Sequence, residues 1–436
     1  MKASDFFRGQ YLEASIYANY RSTASVIDGL KGSGRKVVFT IKKTNLTDKI
    51  KVSSLTGKTT DVSNYLHGDA SLNGVIVSLA ASYTGSNNLP ILTPLGSFGS
   101  RFTPAAAAPR YIFTKPQFYF DLLFRKEDDV NLKGQMFEGD VVEPVFYIPT
   151  LPLLLVNGSQ GIGVGFKPVI LPRKIENVIK LIKAKIKNEK INPEWLKPYW
   201  NGFTGEVTSL GDNSWEIKGV VDSIKKNTAF ISEIPISWNL PHYKACLSKL
   251  KKDKKIKKYV DKAENDRFIF EITFDETPTV DKVIDTCKLS ETITESLVCL
   301  DRNNAVREFS SIEEIIDYYY DVKVEFMEKR LVSETKKLEE EVERLKEIFN
   351  FIDLVVKGEI NLKDKKDSLV KILESKKFKN IDKLLALPVV SLTVEKQEEI
   401  KNKWLKKEEE LKKFKSLSAT DLWLKDIEEL EKAIIK

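Results

Sequence analysis

Few residues in this chain carry reactive chemistry, and one pair among them could supply a nucleophile. Ala105-Ala-Ala-Ala-Pro-Arg110-Tyr111-Ile-Phe-Thr sets a phenol beside a guanidinium in a stretch with little other charge. A phenol acts as a nucleophile when a partner takes its proton and cations hold the developing charge. Taken alone, the pair reads more simply as a structural or interface tyrosine. Other familiar arrangements fail on spacing. Gly29-x4-Gly34 before Arg35-Lys36 lacks the Gly-Lys-Ser/Thr ending of a phosphate-binding P-loop, and the segment before it reads as helix. Gly161, Gly163 and Gly165 alternate without a GxGxxG, and Pro168 and Pro172 follow where a phosphate-binding helix would begin. That spacing predicts a turn with close backbone approach. The chain has two histidines, His67 and His242, and no Asp-x-Asp pair; Glu127-Asp128-Asp129 reads as a solvated loop. Cys246, Cys287 and Cys299 fit neither a disulfide framework nor a CxxC metal site.

The elements that must position these residues follow from composition and periodicity. A chain of 436 residues, 42% of them hydrophobic, can bury substantial cores, and its length suggests about three domains. A disordered tail and a small disulfide-stapled module are excluded. The formal charge is +7, and residues 1–120 hold 14 basic against 6 acidic side chains, so the positive excess lies in the first quarter. The N-terminus lacks the apolar stretch of a signal peptide, and the most apolar run, Ile148 to Val156, is short and broken by Pro149 and Pro152. A soluble, intracellular protein is the expectation. From Ser4 to Tyr83 short helical segments alternate with Gly and Ser, and the amphipathic run Val37, Val38, Ile41 follows the Asp28–Gly34 turn. Short helices with a basic bias suggest a helix-turn-helix variant. Pro90 to Gly165 reads as loops and short strands, and 170–308 mixes a helix at Ile175–Lys187 with strands at Trp215–Val221, Ala229–Ile234 and Arg267–Ile272. Beyond Ile312, Val324, Leu331, Leu338, Leu345 and Ile352 recur every seven residues. A break at Lys357–Asn361, a helical patch around Ile372–Val390 and a second Glu/Lys-rich helix with Trp404, Leu411 and Phe414 complete the pattern. It predicts an antiparallel helix pair carrying a compact head.

Several short segments come in one order: Arg21, Asp28-Gly-Leu-Lys31 with Arg35-Lys36, Lys51, Tyr65-Leu-His67-Gly68-Asp69, Gly96-Ser-Phe-Gly-Ser-Arg101 and Arg110-Tyr111. Leu155-Val-Asn-Gly-Ser-Gln-Gly-Ile-Gly-Val-Gly165, Ile231-Ser-Glu-Ile-Pro235, Lys288-Leu-Ser290 with Cys299-Leu-Asp301, and Leu387-Pro-Val-Val-Ser-Leu-Thr393 follow. This order resembles the breakage-reunion region of type IIA DNA topoisomerases, with its DGLKPxxRK, HHG, GxFGxR, AAxxRYxxT, LVNGxxGIxxG and ITELP elements. Within that family the chain is most similar to the medium subunits of tailed bacteriophages, whose ATPase and metal-binding parts lie on separate polypeptides.

The resemblance implies an α+β, multidomain architecture: a winged-helix DNA-binding domain over 1–145, an α/β tower domain over 146–308, and an antiparallel coiled coil over 309–436 with a dimerisation head at about 353–403. It implies that Tyr111 attacks the scissile phosphate of double-stranded DNA and that Arg110 clamps it, with Arg21 and His67 also in contact. Lys31, Arg35, Lys36, Lys51 and Arg101 become candidate DNA contacts, and Ile170, before Leu171-Pro172, a wedge between base pairs. Mg2+ and ATP would be held by a partner that supplies the ATPase and metal-binding parts, and the chain would be a homodimer in the host cytoplasm or nucleoid, with no membrane attachment. Gly32-Ser33 replaces the usual Pro-x, Leu66 stands where one histidine of HHG would be, and Pro109 interrupts the alanine run. A non-catalytic architectural DNA-binding dimer would share the basic N-terminus and the helix pair but has no use for Arg110-Tyr111.

Overall fold

The computed structural model describes residues 3–435 apart from 265, 362–364 and 389–391. It is a mixed α+β chain whose contacts divide it into two units, 1–323 with 424–436, and 324–423. Residues on either side of position 145 are joined by a hydrogen bond from the Tyr147 backbone N–H to the Asp28 carboxylate at 3.0 Å.

The first unit begins with α1 (Ala3–Arg8), α2 (Gln10–Ser22) and α3 (Gly32–Lys43), followed by β1 (Ile50–Lys51), α4 (Val52–Ser63), α5 (Asp69–Ala80), β2 (Leu92–Leu95) and β3 (Phe113–Pro116). The apolar stripe expected in α3 is its buried face: Val37, Val38 and Ile41 pack inward, as do Val52 and Leu55 of α4 and Leu72 and Ile76 of α5. The strands form an antiparallel sheet in the order β1-β3-β2, with Lys51 opposite Phe113. Lys51, the N-cap of α4, offers no side-chain acceptor to the first turn. The open N–H groups are satisfied instead from a distant loop: Val52 donates to the Ile112 carbonyl at 3.1 Å and Ser53 to Pro109 at 3.3 Å.

Beyond 145, the helix Ile175–Ile186 buries Val178, Ile179, Leu181 and Ile182. The strand expected over Trp215–Val221 is two strands in different sheets. Ser214–Lys218 is the middle strand of a three-stranded sheet, and Val220–Lys225 is the edge of a four-stranded one. The chain changes sheet at Gly219, where a Cβ would lie 2.3 Å from the Glu233 carbonyl oxygen, so only glycine fits. The strand expected from Arg267 starts at Phe270, and Phe270, Ile272, Ile231, Tyr243 and Leu247 form the core there. Asp128 and Asp129 are not a solvated loop. Asp128 is buried against Lys323, and Asp129 lies 2.9 Å from Lys42.

In the second unit, the long helix Ile312–Val356 continues past 324 and pairs with the helix Val394–Lys415. Gln397 donates to Asp353, the Phe349 and Trp404 rings lie 5.7 Å apart, and Lys407 and Lys415 reach Glu341 and Glu339. Rising numbers on one helix meet falling numbers on the other, so the pair is antiparallel. Phe351, Ile360, Leu369, Leu373 and Leu384 form a small core at the turn-around. Val389, Val390 and Ser391 of the expected head segment lie outside the described residues.

Candidate active site

Tyr111 is 71% exposed. Its segment is nevertheless fixed on both sides: Pro109 and Ile112 supply the carbonyls that complete the α4 N-terminus, Tyr111 donates its own N–H to Ala108 at 2.9 Å, and Ile112 is buried. The ring is thus presented to solvent from a rigid base. The Arg110 guanidinium lies 5.9 Å from the ring centroid, so a cation sits beside the phenol. Lys51 is exposed at the start of α4, opposite Phe113 in the ladder.

Arg21 and His67 form a second group. With Lys31 and Lys36 they line a cavity of about 580 Å³, whose wall does not include Arg110 or Tyr111. Within one chain the structure therefore separates the expected catalytic residues into two sets. The α2 helix places Tyr17 and Arg21 one turn apart on one face, with the Arg21 guanidinium 5.9 Å from the Tyr17 ring centroid. The Tyr17 hydroxyl and His67 Nε2 are hydrogen-bonded at 2.6 Å. Partial desolvation, with the positive charges of Arg21 and Lys36, lowers the His67 pKa below the ordinary imidazole value. Lys31 donates to the Gln160 carbonyl at 2.6 Å, and burial lowers its pKa. Lys36 donates to Ser63 O and to Glu143 Oε2 at 2.9 Å, so part of its charge is already neutralised.

The loop after Gln160 forms the close approach expected of its alternating glycines. A Cβ at Gly161 would lie 2.1 Å from the Ser22 carbonyl oxygen, and one at Gly163 2.2 Å from Asn19 Oδ1. Asn19 then clasps the loop, accepting from Val164 N–H at 2.8 Å and donating to the Val164 carbonyl at 3.2 Å. The turn locks α2 in place and with it Arg21.

Three expected DNA contacts, Arg35, Arg101 and Ile170, are buried within the chain rather than displayed on its surface. Arg35 is fully buried and its Nε donates to Asp28 Oδ2 at 2.8 Å; burial alone would depress its pKa, and the carboxylate more than offsets that. Arg101 is 8% exposed, pairs with Glu233 at 2.7 Å and donates to the Ile234, Pro235 and Trp238 carbonyls, so it ties the Gly96–Arg101 loop to the Ile231–Pro235 strand end. Ile170 is 2% exposed and pairs with Ser159, whereas a wedge must be presented to the base stack. All three side chains are thus buried in the chain as folded. Sequence alone does not single out Tyr17, Tyr20 and Glu143, which complete the cavity. Among the described residues, no three His, Cys, Asp or Glu side chains converge to hold a metal ion.

The α+β fold has a solved counterpart. Over 99% of its length the chain is similar to the crystal structure of the Plasmodium falciparum topoisomerase II DNA-binding, cleavage and re-ligation domain, with a TM-score of 0.88 and 32% identity, covering 64% of that chain. The family of DNA gyrase and topoisomerase IV A subunits matches residues 21–428, and the chain belongs to that family. It is 33% identical over 453 residues to the mitochondrial DNA topoisomerase 2 of Dictyostelium discoideum, covering 99% of this chain and 35% of that protein. Against DNA topoisomerase 2 of Plasmodium falciparum it is 32% identical over 483 residues, covering 99% and 34%. The chain spans about a third of the length of these curated relatives.

Proposed function

We propose that this chain is the DNA-cleaving and religating part of an ATP-dependent type II DNA topoisomerase. The observation that carries the reading is the exposed Tyr111 with Arg110 beside it, on a segment braced by the α4 N-terminus. Tyr111 Oη attacks the scissile phosphorus, the P–O3′ bond breaks, and its electron pair passes to O3′. The phenol proton leaves to water and the 3′-oxygen takes one from water, giving a 5′-phosphotyrosyl link and a free 3′-hydroxyl. One phosphoester replaces another, so religation needs no high-energy cofactor. Arg110 holds the phosphate charge, and Arg21 and His67 bind phosphate in their cavity. Helices α3 to α5 with the β1-β3-β2 sheet act as a winged-helix DNA-binding module, the helix pair of the second unit as a coiled coil, and its head as the homodimer contact. Mg2+ and ATP are supplied by a metal-binding and ATPase partner, as in the split phage-type enzymes, and the assembly works inside the cell.

The test combines the chain with such partner parts, Mg2+ and end-labelled duplex, followed by a detergent quench. Protein carrying 3′-end label supports the reading. Adduct carrying only 5′-end label, or no adduct despite tight DNA binding, overturns it, the second outcome favouring an architectural DNA-binding dimer.

DNA affinity supplies a further check on which cations touch phosphate. Lys51→Gln should lower the slope of log affinity against log salt by about 0.9, the value of one neutralised phosphate on B-form duplex. Arg101→Gln, in protein shown to be folded, should leave the slope unchanged.

A further inference from the structure

The bond between Tyr17 and His67 joins residues 50 positions apart and has no role in the chemistry above. Both groups line the cavity that holds Arg21. The imidazole plane is set from two sides: the Tyr65 ring meets it edge-on at 5.4 Å and the Tyr17 ring lies tilted at 6.0 Å. Nε2 takes the Tyr17 bond, and Nδ1 has no hydrogen-bond partner among the described residues. Leu66, the neighbour of His67, is 68% exposed and its side chain offers no polar atom, whereas Tyr17 of α2 brings a hydroxyl to the imidazole.

A phenol is a stronger acid than a neutral imidazole N–H, and an imidazole nitrogen a stronger base than a phenol oxygen. The O–H···N arrangement is therefore the stronger of the two possible pairings. It requires a neutral ring with its proton on Nδ1, since the bond made at one ring nitrogen sets the state of the other. The charged and titratable groups around the ring are Tyr17, Tyr20 and Arg21 from α2, Lys31 and Lys36 at the start of α3, Glu143 from the strand Asp140–Pro144, and Tyr65 from its own loop. Glu143 is engaged by Lys36, which leaves a net positive surround that favours the neutral ring.

We propose that Tyr17 is a positioning residue for DNA cleavage and religation: its hydroxyl donates to His67 Nε2, holds the imidazole as the Nδ1–H tautomer, and so fixes which proton His67 offers to a phosphate oxygen. This rests on the reading of the cavity as a phosphate-contacting part of the cleavage apparatus. Tyr17 acts through His67 and forms no bond to phosphorus. Because it is 51% exposed on α2, removing one oxygen atom leaves the fold intact.

The chain has two histidines, so its imidazole resonances can be resolved in the intact chain, with His242→Gln identifying the other. In wild type, His67 should show the Nδ1–H tautomer. In Tyr17→Phe it should revert toward Nε2–H, and its pKa should rise, because a bond donated to the neutral ring disfavours protonation. In the assembly with its partner parts, cleavage and religation by Tyr17→Phe should slow about tenfold with DNA affinity unchanged, a fraction of the 10²–10³-fold typical for losing a whole oxyanion donor. The acid limb of the rate profile should move to higher pH, and Tyr17→Phe should add nothing in a His67→Gln background.

An unchanged tautomer and titration in Tyr17→Phe overturns the proposal even where wild type cleaves normally. An additive loss in the His67→Gln background also overturns it, since Tyr17 would then act independently. Complete loss of adduct in Tyr17→Phe overturns it as well, by making Tyr17 the nucleophile. Wild-type protein that forms no adduct, with the tautomer shift intact, instead removes the cleavage reading and with it the role of the pair.

Discussion

Tyr111→Phe will reduce the covalent DNA adduct by at least about 10⁴-fold, the order seen when a covalent nucleophile is deleted and the rest of its site kept, while duplex binding stays within about twofold of wild type. The substitution is clean. The Tyr111 side chain is 71% exposed, and the contacts that fix its segment are backbone bonds from Tyr111, Val52 and Ser53, none of which uses the phenol oxygen. Phenylalanine keeps the ring beside Arg110 and removes one atom, so loss of adduct reports chemistry rather than folding. Arg110→Gln should cost less, about 10²–10³-fold, since it removes one charge-stabilising donor and leaves the nucleophile. The comparison needs peptide mapping of the residual adduct, because Tyr17 is also exposed and its hydroxyl already contacts an imidazole. Adduct that persists in Tyr111→Phe and maps to Tyr17 would reverse the assignment of nucleophile. Adduct that persists on Tyr111-free peptides elsewhere would remove both.

Those two tyrosines are unequally visible in the sequence. Arg110-Tyr111 becomes legible through the order of the segments around it, not through its own composition. The close backbone approach of Gly161 and Gly163 is legible because alternate glycines without a following helix have few other uses. Tyr17 is half legible: its spacing of four from Arg21 puts both on one helix face, but nothing local indicates that His67, 50 residues on, closes against it. The misread cations share one cause. Arg35 and Arg101 look like surface charge until their carboxylates are found, and those lie 7 and 132 residues away, at Asp28 and Glu233. Residue type reports that a guanidinium is charged, not whether its partner is a phosphate or a buried carboxylate. Ile170 is ambiguous for the converse reason, since an isoleucine before Leu-Pro can be a wedge or core, and here it is buried. The two-strand split is marked in the sequence only by Gly219 inside the run Trp215–Val221, and a strand-interior glycine does not say whether the chain bulges or changes sheet; the Glu233 carbonyl that excludes a side chain there is 14 residues on.

The buried pair at the start of α3 carries the largest expected stability effect. Asp28 accepts from the Leu30 N–H at 2.9 Å, from the Tyr147 N–H at 3.0 Å and from Arg35 Nε at 2.8 Å, while both side chains are fully buried. It therefore ties the turn, the helix and the segment beyond 145 through one carboxylate. Asp28→Asn leaves the guanidinium without a counter-charge and turns an amide N–H toward at least one donor. The expected loss is about 3–5 kcal/mol in the first unit, as for other buried pairs deprived of one partner. Replacing a buried pair wholly by apolar groups is often neutral or stabilising, but here it should not be. In Asp28→Leu/Arg35→Met the Leu30 and Tyr147 N–H groups stay buried and unpaired, at about 1–3 kcal/mol each. The double variant should thus remain well below wild type in urea unfolding followed by tryptophan fluorescence. Arg35→Met alone, under conditions where it is folded, should bind duplex with the wild-type salt slope, because the guanidinium it removes never met a phosphate. An Arg35→Met protein of wild-type stability that loses about one unit of that slope would place Arg35 on DNA and dissolve the structural role argued for the pair.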